Sequence, residues 1–150
     1  AHVIKQVESL GAKVGALRTQ QGQIWTELDA QQTQLGQALP DEATRGLLRE
    51  HCTEVIEAKR ADLQPKGQMV EMEYSHLRML YGALLYLRDN YALVGFMNNQ
   101  LAFRTPESSA RFLEYGKQIQ EIQTRQIELG RQMHAAQTGA AAASAAPAAQ

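Results

Sequence analysis

The first 38 residues carry a spacing pattern that restricts the fold more than any other feature of the chain. Side chains recur at alternating steps of four and three residues, which is typical of a helix with one narrow seam against a partner helix. Because a residue before proline avoids the α conformation, Pro40 ends this pattern. The spacing therefore predicts a helix over about 2–38, about 55 Å long at 1.5 Å per residue. Eight of its ten seam positions are apolar, and the ten are Val3, Val7, Leu10, Val14, Leu17, Gln21, Ile24, Leu28, Gln31 and Leu35.

Breaks in the rest of the chain predict three more helices. Proline and glycine in the segment 64–67 favour an interruption there. Thr105 before Pro106 is typical of a helix start, with the threonine as cap and the proline at the first helical position. The expected helices are 2–38, 41–64, 68–103 and 106–137, with no strand. The sequence predicts an all-α fold, an antiparallel four-helix bundle over 1–137 with long, coiled-coil-like helices.

The end of the chain has a different composition. Residues 135–150 contain ten alanines and no charged side chain. Such a segment offers little side chain to pack, so 138–150 is predicted to be a disordered, low-complexity tail.

Charge and cysteine content exclude several classes of protein. Fifteen basic and sixteen acidic residues give a net charge of −1, so we expect no nucleic-acid partner. A single cysteine excludes an internal disulfide framework. The most apolar segment, 77–97, is interrupted by Arg78, Arg88 and Asp89, so no transmembrane segment is predicted.

The third predicted helix contains the strongest candidate for a metal site. Met69, Met72, His76 and Met79 follow one another at steps of three, four and three, which places them on one helix face. Thioether and imidazole ligands suit Cu(I). The competing interpretation is that these methionines fill an irregular core and His76 lies at its edge.

Other chemically active residues do not combine into a catalytic arrangement. Glu73 and His76 match half of a di-iron motif, but the sequence has no second copy of it. His51 is adjacent to Cys52 and therefore points about 100° away from it on a helix, which is poor geometry for a base and its nucleophile. His76 or His134 of another helix is the alternative base, and the competing interpretation of Cys52 is a buried, inert thiol. We expect no catalytic residues, and therefore no enzyme.

The first and fourth helices carry candidate interaction residues. Gly15, Gly22 and Gly36 each follow a seam position by one residue and line one flank, where a second helix has room to approach; a flexible helix that tolerates them is the alternative. Gln21, Gln31 and Gln126 interrupt the seams, and polar seam residues commonly fix register and partner number.

These features favour a non-enzymatic structural or adaptor component of a larger bacterial envelope or virion assembly, with protein partners that are copies of itself or other helical subunits. A periplasmic Cu(I)-binding helical bundle and a periplasmic chaperone are the alternatives. Ala1 fits signal-peptide removal as well as a fragment boundary, and glutamine-rich helices with an alanine-rich end favour an exported, periplasmic protein over a cytoplasmic one.

Overall fold

A computed structural model of the chain describes residues 2–38, 42–98 and 100–145. Three long α-helices account for most of them. They are α1 (His2–Ala38), α2 (Glu42–Asp89) and α3 (Pro106–Ala145). Between α2 and α3 lie a single 3-10 turn (Tyr91–Leu93) and two short strands, β1 (Val94–Met97) and β2 (Gln100–Phe103).

The predicted four-helix bundle is wrong. The described structure is 91% helical, which is broadly consistent with an all-α class, but it has three helices and a small two-stranded antiparallel sheet. Two local errors in the sequence-based prediction produced the extra helix and missed the sheet. One concerns the segment 64–67 and the other the segment 90–103.

The segment 64–67 does not separate two helices, because α2 runs through Pro65 without a break. An interior proline removes one backbone hydrogen bond and costs about 3 kcal/mol. The helix keeps contacts with α1 on both sides of the proline, since Arg60 pairs with Asp29 and Glu71 pairs with Arg18. The predicted helices 41–64 and 68–103 are therefore one helix that ends earlier, at Asp89.

The segment 94–103 forms a β-hairpin instead of the end of a helix. Asn90 stops α2 by donating its side-chain amide to the Tyr86 carbonyl oxygen at 2.9 Å. Val94 pairs with Phe103 and Met97 with Gln100, and Asn98 adopts a left-handed backbone with φ of 52°. Asparagine tolerates this conformation and is favoured in two-residue hairpin connections. The missed signal was the Asn98-Asn99 doublet between two short apolar runs.

The predicted disordered tail over 138–150 is also wrong where the structure describes it, because α3 continues to Ala145. Alanine has the highest helix propensity, so an alanine-rich segment extends an existing helix without needing a packed face. Residues 146–150 lie outside the described residues.

The start of α3 has the predicted cap. The Thr105 Oγ1 accepts a hydrogen bond from the Ser108 backbone N–H at 3.2 Å and donates one to the Ser108 Oγ at 2.8 Å. Pro106 occupies the first helical position, where its missing N–H costs nothing.

The chain divides into two compact units, which we name by their place in the sequence. The terminal unit comprises the described residues of Ala1–Gly11 and Met72–Gln150, and the central unit is Ala12–Glu71. The buried side chains among the described residues, Val7, Leu77, Ala83 and Ser108, all belong to the terminal unit.

Candidate interaction surfaces

Tyr86 organises the interior of the terminal unit. Its hydroxyl donates to the Ser108 carbonyl oxygen of α3 at 3.2 Å, and its ring lies 6.2 Å from the Tyr115 ring. The Arg111 guanidinium lies 6.0 Å from the centre of the same ring. Gly82 permits this packing, because a β-carbon there would lie 3.0 Å from the Tyr115 ring. These contacts join α2 to α3 within the terminal unit.

The β-hairpin is anchored at its base and exposed at its tip. Phe103 packs on Phe112 of α3 with ring centres 5.2 Å apart. Phe96 faces Leu101 across the hairpin, so both lie on the same sheet face as Phe103. Phe96 is nevertheless 76% exposed, and Tyr91 just before the hairpin is 80% exposed. The distal half of this face is an apolar surface that the terminal unit does not cover.

Polar contacts hold α1 and α2 together in the central unit. Arg60 pairs with Asp29 and also lies 5.6 Å from the Trp25 ring centre, while Arg18 pairs with Glu71. Position along α1 rises as position along α2 falls, so these two helix segments are antiparallel. The ion-pair side chains are about half exposed, and exposed pairs contribute about 0–1 kcal/mol each.

The predicted seam of α1 divides into a covered and an exposed half. Val7 is buried, and Val14, Gln21 and Leu28 are partly buried. Four of the five alternate seam positions are large aliphatic side chains that remain 49–56% exposed, and the fifth is Gln31. We call these seven-residue-spaced positions the α1 stripe: Val3, Leu10, Leu17 and Ile24.

In the central unit the stripe is rotated away from α2. Arg18, Gln21 and Trp25 mark the side of α1 that faces α2, because their side chains contact residues of that helix. At 100° per residue, Leu17 and Ile24 lie about a quarter turn around α1 from that side. The seam of α1 therefore contributes to two surfaces in this unit. One contacts α2, and the other, the α1 stripe, is exposed to solvent.

The predicted interaction glutamines have different environments. Gln21 packs on α2, where a β-carbon at Gly67 would lie 2.5 Å from its Nε2. Gln126 donates to the Glu73 Oε2 at 2.8 Å and so links α3 to α2 in the terminal unit. Gln31 is exposed.

The predicted glycine flank is not covered by a second helix at Gly22. A β-carbon there would meet nothing within 4 Å, and one at Gly36 would only approach the Arg49 side chain at 3.9 Å. Gly15 is partly buried, and its carbonyl oxygen accepts from the Thr19 hydroxyl at 3.1 Å.

The predicted Cu(I) ligands Met69, Met72, His76 and Met79 all lie on α2 and are partly buried. Met69 belongs to the central unit and the other three to the terminal unit. Among the described residues, no three His, Cys, Asp or Glu side chains are grouped to hold a metal ion. The Cu(I) site built on the methionine thioethers stays a prediction.

The half-motif Glu73 and His76 has another use in the structure, since the Glu73 carboxylate accepts from Gln126. Cys52 is a partly buried free thiol, and the neighbouring His51 is exposed.

The groups with shifted pKa values are exposed ion pairs on α2. A hydrogen bond from Lys66 lowers the pKa of Asp62, and a hydrogen bond from Arg88 lowers the pKa of Asp89. The same contact with Asp89 raises the pKa of Arg88. Neighbouring charges on one helix account for these shifts, so they do not point to a catalytic centre.

The remaining surface features are modest. An open depression of about 360 Å³ lies along α3, and all of its lining residues belong to that helix: Lys117, Gln120, Glu121, Thr124 and Arg125. Within the described residues, no helix combines the length and apolar character needed to cross a bilayer.

No protein-family model, curated protein or solved structure matches this chain.

The surfaces that the structure offers are thus the α1 stripe and the hairpin tip. The heptad spacing identified the stripe residues, although it did not separate the covered half of the seam from the exposed half. Phe96 and Leu101 were not predicted as surface residues, because the predicted helix 68–103 included them, whereas they pair in the hairpin.

Proposed function

We propose that this protein is a non-enzymatic structural or adaptor component that assembles with other helical chains by coiled-coil-like packing. The observation that supports this proposal is the α1 stripe, whose aliphatic side chains stay about half exposed at regular heptad spacing. Heptad spacing is the pattern by which one helix recognises another.

The energetics of the central unit support the same proposal. Among the described side chains, none of the central unit is buried. Its exposed ion pairs contribute little, and helices without a packed apolar face are marginal in water. Full burial of a leucine or isoleucine side chain contributes about 1.5–3 kcal/mol. A partner helix that covers Leu17 and Ile24 would therefore supply the apolar burial that the central unit does not provide for itself.

The exposed residues of α2 in this unit extend the argument. Leu47 and Val55 are also large, exposed aliphatic side chains. Scattered exposed leucines are ordinary on protein surfaces. Their occurrence on both helices of a unit without a buried side chain is what favours assembly.

Hydrogen exchange tests this proposal. In the dilute purified chain, we expect amides of the central unit to exchange quickly and amides near Leu77 and Ala83 to exchange slowly, since amide protection follows local stability. On assembly, at high concentration or with the partner present, protection should rise in the central unit. Equal protection of both units in the dilute monomer would contradict the proposal.

A native size measurement complements the exchange experiment. In extracts of the cells from which the chain comes, we expect the protein in a species larger than a monomer. A monomer in the extract, combined with a fully protected central unit, would remove the basis for assembly.

A further inference from the structure

The charges beside the α1 stripe are arranged so that the stripe complements itself. In the central unit the stripe consists of Leu17 and Ile24, seven residues apart and therefore on one helix face. Lys13 and Glu27 lie on the flank of this face that is turned away from α2, and both are exposed. Gln20 lies midway between them on the same flank.

We propose that a second copy of this chain covers the stripe, with the two α1 helices antiparallel about a two-fold axis near Gln20. This inference rests on the proposed function and names the partner. In this register Leu17 of one copy faces Ile24 of the other. Lys13 of each copy faces Glu27 of the other, which gives two opposite-charge pairs related by symmetry.

A parallel arrangement of the same two helices does not form these pairs. With the two-fold axis along the helices, the flank that carries Lys13 and Glu27 in one copy faces the opposite flank of the other, so the charges of the two copies do not meet. The charge pattern therefore selects the antiparallel orientation.

The contact area sets the expected strength. With the two-fold axis near Gln20, the parts of α1 that overlap within the central unit are residues 12–28 of each copy. At 1.5 Å per residue this is about 25 Å, and a helix face about 10 Å wide gives about 250 Å² per copy. Stable interfaces bury about 800 Å² per partner. We expect a weak dimer that forms in the micromolar range.

Sedimentation equilibrium of the full chain with single and paired charge reversals tests the register. K13E and E27K should each weaken the dimer at least tenfold, because each replaces two attractive pairs with two repulsive ones. The double variant K13E/E27K restores the pairs with their signs exchanged, so its Kd should return to within about threefold of the wild-type value. Failure of the double variant to recover, or a wild-type monomer up to about 100 µM, would overturn the proposal.

A stripe variant and a matched control separate packing from charge. I24E should leave the chain monomeric at every concentration tested. L113E, at an exposed leucine of α3 in the terminal unit, should leave the Kd unchanged. Helix content measured by circular dichroism should be the same for both variants. An equal effect of both variants on the Kd would place the interface elsewhere.

Cysteine cross-linking in a C52S background tests the orientation. A mixture of K13C and E27C chains should give the mixed cross-linked dimer under mild oxidation, and K13C alone should stay largely uncross-linked. Efficient self-cross-linking of K13C, with little of the mixed dimer, would overturn the antiparallel register.

The two proposals fail differently. A purified chain that is monomeric at high concentration, but part of a larger species in cell extract, would overturn self-pairing and leave the assembly function standing. A monomer in both settings would overturn both.

Discussion

The terminal and central units of this chain are built from similar helices but hold them together differently. The terminal unit contains the buried side chains Val7, Leu77, Ala83 and Ser108, together with the ring contacts of Tyr86 and Phe103. The described side chains of the central unit include no buried one, and its helices meet through Arg18, Asp29, Arg60 and Glu71.

This difference shows that helix length and heptad spacing do not by themselves produce a core. A third element makes the difference in the terminal unit, because α3 brings Tyr115 and Ser108 onto α2. The described part of the central unit has two helices, and Leu17 and Ile24 of α1 and Leu47 and Val55 of α2 stay accessible to solvent.

We expect the largest difference between the two units when an apolar side chain is truncated and the free energy of unfolding is measured. Leu77 in the terminal unit is 8% exposed, and L77A should lower the free energy of unfolding by about 2–5 kcal/mol through lost burial and a cavity. L47A in the central unit, where the leucine is 73% exposed, should change it by no more than about 0.5 kcal/mol. Urea denaturation of both variants at low protein concentration measures the contrast. Similar losses for the two variants would show that the central unit has a core of its own.

Replacing a glycine with alanine should give a second, smaller contrast, in which the stability changes in the two units have opposite signs. G82A places a β-carbon 3.0 Å from the Tyr115 ring, which is itself packed on Tyr86, so we expect a loss of about 1 kcal/mol. G22A meets nothing within 4 Å and should gain about 0.5–1 kcal/mol from helix propensity. Thermal unfolding of the two variants gives the sign of each change. Stabilisation by G82A would show that the Tyr115 ring moves freely and that the terminal unit is loosely packed.

Acidification should produce the smallest effect, and one that both units share. The pKa values of Asp62 in the central unit and Asp89 in the terminal unit are lowered by Lys66 and Arg88. Each pair therefore stabilises the fold above the ordinary carboxyl pKa of 3.8, and this contribution is lost as pH falls through the lowered value. D62N and D89N should both reduce the acid dependence of the melting temperature slightly. If only one variant greatly reduced the acid dependence of the melting temperature, that ion pair would stabilise the fold more than an exposed pair is expected to.

Local sequence signals predicted the elements that depend on neighbouring residues alone. The start of α3 followed from Thr105 and Pro106, because a cap uses atoms within one turn of the chain. The hairpin turn also had a local signal, since Asn98 favours the left-handed backbone that it adopts. The prediction of one helix over 68–103 did not take this signal into account. The continuity of α2 through Pro65 had no local signal, and the helix keeps contacts with α1 on both sides of the proline.

The candidate surfaces divide in the same way. The heptad spacing identified Leu10, Leu17 and Ile24 as seam residues, and Gln126 as a polar seam residue. That Gln126 pairs with Glu73, and that Leu17 and Ile24 remain exposed, depends on where the other helices lie. Phe96 became a surface residue only because β1 and β2 fold back on each other and pack at their base alone.

By itself, the sequence determined that this chain is helical and that its first helix carries a seam at heptad spacing. It also predicted no membrane-spanning helix, and none of the described helices is long and apolar enough to cross a bilayer. Periodicity and charge placement are properties of the covalent chain, so they can be read without a fold. Only the tertiary structure decided which half of the α1 seam is covered, because burial is a property of the neighbours that a side chain acquires. Those neighbours cover Val7 and leave Leu17 and Ile24 accessible for a second copy.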